Sequence, residues 1–168
     1  MTAQLFGRPI EGDPQPTRKP VEQGPDQDFL AALDGILAVE GVESVKWDQY
    51  TPYFNDGDAC EFSVYDARVK VTGGDEEAGD YEDGFYDSYS LYEYIPDANG
   101  QIDWRGNPDK KWVDFNGISG EKIDEELEKF NRVLGSGRHD VLLGNTFGDH
   151  AEITATKAGF SVDFYEHD

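Results

Sequence analysis

Ala151-Glu152-Ile153-Thr154-Ala155-Thr156 and Phe160-Ser161-Val162-Asp163-Phe164-Tyr165 each alternate between apolar and polar side chains, with Lys157-Ala158-Gly159 between them. A period of two sends successive side chains to opposite faces of a strand. The two runs therefore predict an antiparallel hairpin with Glu152, Thr154 and Thr156 exposed on one face. Working outward, Glu121 to Leu134 carries Ile123, Leu127, Phe130 and Leu134 at helical spacing. Ser119 stands ahead as a capping residue and Gly135 just after as a stop. A hairpin with one apolar face and a helix with one apolar stripe bury each other, which sets the class as α+β.

The rest of the chain extends this plan. From Asp28, the residues Phe29, Leu33 and Ile36, with Leu30 and Leu37 beside them, fit one helix face, with Asp28 as N-cap and Gly41 as the stop. Val45 and Trp47, then Phe62 and Val64, then Val69 and Val71 predict short strands; the phase changes at Tyr65 to Ala67, where a bulge or a break is expected. Ser90–Ile95 and Gln101–Trp104 flank Pro96-Asp97-Ala98-Asn99-Gly100, whose Asn-Gly supplies the positive φ of a hairpin turn. Asn55-Asp56-Gly57-Asp58 reads as a turn between strands. The expected fold is an antiparallel sheet with hairpins packed against two helices, without internal repeats.

Residues 1–26 hold five of the eight prolines and almost no periodic apolar pattern, so they read as an extended Pro-rich tail, with 27–168 as a single α+β domain. Within the tail, Leu5, Phe6 and Ile10 are the side chains able to dock on the domain or on a partner. At 168 residues, one core buries roughly 68–70% of the surface of the unfolded chain. Aromatic residues, 13% of the total, supply large buried areas. The one cysteine, Cys60, has no partner for an intramolecular disulfide, and Met1 to Ile10 lacks the basic and apolar regions of a signal peptide. No stretch approaches the ~20 apolar residues of a membrane span. These features point to a cytoplasmic protein.

Against 14 Lys and Arg stand 36 Asp and Glu, a formal net charge of −22. Such a field repels nucleic acid and anionic membrane and attracts basic surfaces. It is densest at Asp75, Glu76, Glu77, Asp80, Glu82, Asp83 and Asp87, seven acids in thirteen residues with no base among them. The glycines at 73, 74, 79 and 84 suggest a mobile loop, and Tyr81, Phe85 and Tyr86 are placed to anchor it to the domain or to a partner. A second set, Glu121, Asp124, Glu125 and Glu128, projects from the helix away from its apolar stripe, softened by Lys122 and by an i,i+4 pairing of Glu125 with Lys129. Duplex DNA carries one negative charge per ~1.7 Å of axis. Rigid carboxylates at similar density would fill a DNA-binding groove, a form of mimicry; a solvated acidic surface is the plainer reading.

Other chemistries find little support. No window matches the calcium loop Asp-x-Asp-x-Asp-Gly-x5-Glu: from Asp80, Gly84 falls at the fifth place and Leu91 at the twelfth, and from Asp97, Ile102 takes the glycine position. His139, His150 and His167 share no zinc spacing with Cys60 or one another. Cys60, in a strand read as Ala59 to Val64, is expected to be a small buried hydrophobe rather than a nucleophile paired with His150. No phosphate-binding glycine loop is present, and no cofactor is expected.

Trp47-Asp48-Gln49-Tyr50-Thr51-Pro52-Tyr53-Phe54-Asn55-Asp56-Gly57-Asp58-Ala59-Cys60 resembles a segment of small uncharacterised proteins of tailed phages and some bacteria. Gly148-Asp149-His150-Ala151-Glu152 and Phe160–Asp168 are similar in style, and together these stretches cover about a fifth of the chain. The resemblance implies a compact phage-encoded protein that binds and disables or redirects a host protein, in the host cytoplasm. It carries no catalytic residue with it. The expected function is thus a non-enzymatic acidic protein occupying a basic surface of a partner, such as a nucleic-acid-binding host or defence protein, without itself contacting nucleic acid or membrane. Two alternatives accompany it: a structural or assembly protein, for instance of a virion, whose acidity serves solubility, and a divalent-metal site built from carboxylates.

Overall fold

The computed structural model describes residues 4–5, 8–9, 21–53, 57 and 60–166. Near the start, β1 (Gln4–Leu5) pairs with β2 (Arg8–Pro9). The Leu5 side chain, Phe6 and Ile10, expected to dock, lie outside the described residues, as does the expected turn Asn55-Asp56-Gly57-Asp58 apart from Gly57. Val21–Gly24 runs against the turn after the second helix: Gln23 Nε2 donates to the Gly137 carbonyl (3.0 Å), the Val141 N–H donates to Gln23 Oε1 (3.1 Å), and the Gly24 N–H donates to the Arg138 carbonyl (2.8 Å).

Helix α1 spans Asp26–Leu37 and buries Phe29, Leu33, Ile36 and Leu37. Its N-cap is Pro25, without a side-chain bond, so Asp28 is not the cap; it lies with Asp26 in the first turn, where carboxylates meet the positive end of the helix dipole. The helix ends at Leu37. Gly41, at φ +87°, instead turns the chain into β3 (Val42–Tyr50), where a Cβ would stand 2.6 Å from Ile118 Cδ1.

Strand β3 is the centre of the sheet. β4 (Ser63–Val64) pairs with its far end and β5 (Arg68–Val71) with its near end, both antiparallel, so the phase change at Tyr65 to Ala67 is a break between two strands on the same edge. β6 (Tyr92–Tyr94) forms a hairpin with β7 (Lys110–Trp112), not with Gln101–Trp104 as the sequence suggested. The turn at 97–100 does form. Asp97 Oδ1 accepts from the N–H groups of Asn99 and Gln101, and a second turn follows in which Asp103 accepts from Arg105 and Gly106. Two successive Asp-capped turns carry the chain outward, and pairing resumes only where the Ile95 N–H meets the Asp109 carbonyl. The tight Asn-Gly hairpin lies elsewhere: Asn116 and Gly117 (φ +54° and +98°) join β8 (Asp114–Phe115) to β9 (Ile118–Ser119).

Helix α2 (Gly120–Gly135) matches its expected span, and Ser119 Oγ accepts from the Glu121 N–H at 3.2 Å. A third helix, α3 (Asp140–Phe147), was not foreseen; Leu143 is its one buried apolar residue, so it carries no helical period. The closing hairpin, β10 (Ala151–Thr156) and β11 (Gly159–Phe164), forms in register from Ala151 opposite Phe164 to Thr156 opposite Gly159, but only Thr156 of the face expected to be open is exposed; Thr154 is half-buried, and so is Glu152, which Lys46 and Arg68 hold. β10 also pairs with β3, giving the order β11-β10-β3-β4 with β5 beside β3.

The fold is therefore α+β, with three helices on a mostly antiparallel sheet. On the helix side, fully buried Trp47 meets the edges or faces of Phe29, Phe130 and Phe147 at centroid distances of 6.1, 5.7 and 6.1 Å. Gln49, also fully buried, donates to the carbonyls of Leu143 (3.0 Å) and Gly148 (2.7 Å), tying α3 to the sheet. Among the described residues no helix is long and apolar enough to cross a membrane.

Candidate functional site

The acidic stretch 75–87 wraps the β5 edge and is pinned there. Tyr86 and Val69 exchange backbone hydrogen bonds of 2.7 and 2.9 Å, the Tyr86 ring meets Phe115 edge-on at 5.0 Å, and its hydroxyl accepts from the Asp75 N–H at 2.9 Å. Phe85 is buried under the Lys46 ammonium, 4.1 Å from the ring centroid. Turn bonds close the rest of the loop, with the Gly84 N–H reaching the Ala78 carbonyl. Gly79 sits at φ +86° where a Cβ would collide with the Phe85 carbonyl. The glycines thus build tight turns rather than mobility. Phe85 and Tyr86 are core anchors with no face left for a partner, while Tyr81 stays exposed, its ring 4.7 Å from the Arg68 guanidinium carbon.

Two bases do lie beneath the loop, supplied by β3 and β5. Lys46 Nζ pairs with Asp83 (3.3 Å) and Glu152 (3.6 Å), and Arg68 pairs with buried Asp48 (3.1 Å) and with Glu152 (3.9 Å). Burial pushes the Glu152 carboxyl up, and Asp48 directly across the strands adds to this while Lys46 and Arg68 oppose it. These inner acids take up both bases. Asp87 turns inward to accept from the Ser90 N–H. Asp75, Glu76, Glu77, Asp80 and Glu82 remain exposed, and none makes an ion pair among the described residues.

On α2, Glu121, Glu125 and Glu128 are exposed as expected, but Asp124 is 6% exposed and faces away from open solvent. The β6–β7 hairpin and Ser88–Tyr89 close over this side of the helix, leaving a cleft of about 430 Å³ lined by Asp66, Ser88, Tyr92, Lys110, Asp124 and Glu128 among others. Burial raises the Asp124 carboxyl above the ordinary range, with Glu128 adding to it; Lys110 and the Ser88 hydroxyl pull the other way. Asp124 Oδ1 has no hydrogen-bond partner among the described residues. Lys110 lies among aromatic faces, its Nζ 4.0 Å from the Tyr92 centroid and 5.3 Å from that of Trp112. Tyr92 and Tyr94 share a 3.2 Å hydroxyl contact that, with burial, raises the Tyr92 phenol. Lys129 pairs with Glu126 (2.8 Å) rather than with Glu125. Ser88 follows Asp87 directly, so the cleft joins the end of the acidic loop to the acidic side of α2.

The remaining candidates are dispersed. Cys60 is exposed and precedes β4, so it is not the buried strand residue expected. His139 is buried beside the Phe29 ring (6.0 Å), His150 bonds Asp149 at 3.0 Å and stacks on Tyr53, and His167 lies outside the described residues. Asp149 is held below the usual carboxylate range: burial pushes it up, but the Thr51 hydroxyl and N–H, each at 2.7 Å, and His150 outweigh this. Among the described residues no group of three or more His, Cys, Asp or Glu is placed to hold a metal ion. In comparisons with family models, curated proteins and solved structures, nothing matches the chain.

Proposed function

We propose that this is a non-enzymatic binding protein, of the kind phages encode, that occupies a basic surface of a nucleic-acid-handling host or defence protein and blocks it. The observation carrying this reading is that the five outward carboxylates of the 75–87 loop sit on backbone pinned to the core at Tyr86, while the bases beneath are used by inner acids. Carboxylates carried on a backbone already held in place cost less chain freedom on binding than those of a loose loop, and those without a partner keep their attraction for a basic groove. Exposed Tyr81 and Glu128 add apolar and anionic contacts for Lys or Arg side chains, while Asp124, expected to join them, is buried.

The test compares pull-downs by the wild type and by a variant with Asp75→Asn, Glu76→Gln, Glu77→Gln, Asp80→Asn and Glu82→Gln. Asp83 is left intact because its bond to Lys46 and its acceptance from the Phe85 N–H hold the loop. A basic protein captured by the wild type, lost by the variant and eluted by raising salt from about 0.05 to 0.5 M is expected, since a Debye length shrinks several-fold on approaching molar salt. Equal capture by both proteins would refute the reading.

A further inference from the structure

We propose that β11 is a self-docking edge through which two copies of this chain join into one continuous antiparallel sheet. β11 ends the strand order. The Tyr165 N–H bonds the His150 carbonyl at 2.9 Å. Because both backbone groups of a residue in an antiparallel strand point to the same side, Ser161 and Asp163 face β10, whereas Phe160, Val162 and Phe164 direct their N–H and C=O groups outward. Those outward groups have no backbone partner among the described residues.

The side chains of the same three residues lie on the helix-side face, opposite Ala155, Ile153 and Ala151, yet they are 47%, 47% and 73% exposed. The helices reach only the start of this strand, where Phe147 of α3 meets Phe160 at 5.2 Å. Edge strands are normally protected by lysine, proline or a bulge, and β11 has none of these. In a chain of net charge −22, β11 itself carries one charge, Asp163, with Lys157 in the turn before it and Glu166 just after it. The strand is thus far less acidic than the 75–87 loop, and two copies meeting along it repel each other less than they would there.

The strand is also self-complementary. A two-fold axis perpendicular to the sheet keeps each face on its own side and sets Val162 opposite Val162 of the second copy and Phe160 opposite Phe164. That register satisfies the outward backbone groups of both copies in about six hydrogen bonds, set in closely spaced pairs, gathers both sets of Phe and Val on one face, and places Asp163 opposite Ser161. Sliding by two residues one way opposes Asp163 to Asp163, which is unfavourable; the other way sets Phe164 opposite Ala158, which lies in the turn and outside the strand.

Sedimentation equilibrium of the full chain tests this, at about 0.05 and 0.5 M NaCl, beside Val162→Lys. The wild type is expected to form a dimer that tightens at least about tenfold at the higher salt, as mutual repulsion is screened. Val162→Lys is expected to be monomeric, with an unchanged circular dichroism spectrum and the melting temperature that the wild type shows when diluted to its monomer. For register, Val162→Cys in a Cys60→Ser background should cross-link to itself on oxidation and Ser161→Cys should not, because only the first pair faces across the axis. A wild type that stays monomeric at both salts, a dimer that survives Val162→Lys, or a cross-link at Ser161→Cys in place of Val162→Cys overturns the proposal. Capture of a basic partner weakens with salt and does not involve Val162, so the two proposals fail separately.

Discussion

Asp124 shows how a single carboxylate can be misplaced by its sequence. Next to Ile123 it falls at the border of the apolar stripe, and a helix considered alone sends it to solvent; the β6–β7 hairpin, brought back by turns far from α2 in the chain, covers it. Its raised pKa has a definite sign for stability. Between the unfolded value, roughly 3.9, and the raised folded value, the native state holds the extra proton, so stability falls as pH rises through that window and the penalty persists above it. Asp124→Asn is therefore expected to stabilise the protein at pH 7, by about 1 kcal/mol, and to flatten the gain in stability that proton uptake brings as pH falls from 7 toward the ordinary carboxylate range, about pH 4. Urea denaturation at the two pH values checks both. Asp149 has the opposite sign: held below its unfolded value, it contributes stability above that value which is lost as pH falls through the folded one.

At the scale of elements, α2 and the β10–β11 hairpin were legible because a capping serine, an unbroken apolar period and strict alternation all agree with their tertiary surroundings. The 75–87 loop was not, because glycine signals equally a loose chain and a set of tight turns, and only the bridge between Val69 and Tyr86 decides between them. Two substitutions measure that decision. Tyr86→Phe keeps the ring against Phe115 and loses the bond from the Asp75 N–H, at an expected cost of about 1 kcal/mol. Gly79→Ala adds both an unfavourable φ and a collision with backbone, and is expected to cost more and to open the loop to proteolysis. Chemical denaturation orders the two. A floppy loop would leave both variants as stable as the wild type.

Charge dominates the behaviour of the whole molecule. The α+β class followed from pattern alone, but the distribution of carboxylates did not: whether the loop and α2 adjoin depends on where the chain turns after Asp87, a matter of packing rather than composition. With −22 net charges on one compact body, self-repulsion opposes folding, and raising NaCl from about 0.02 to 0.2 M is expected to raise the melting temperature. Differential scanning calorimetry at constant pH reads this directly, and a flat or falling response would mean that inner ion pairs such as Arg68 with Asp48 outweigh the surface field.

The central place of β3 also sets the order in which the molecule can be made. Its partner β10 lies about a hundred residues further along the chain. A nascent chain that has not reached Ala151 carries Val45 and Trp47 on a strand that lacks its β10 partner, and such a species is expected to aggregate more readily than the full chain. Folding is accordingly expected to wait for the last hairpin and to run at the milliseconds-to-seconds pace of long-range pairing. Removing β10 and β11 would leave an unfolded chain rather than a smaller domain.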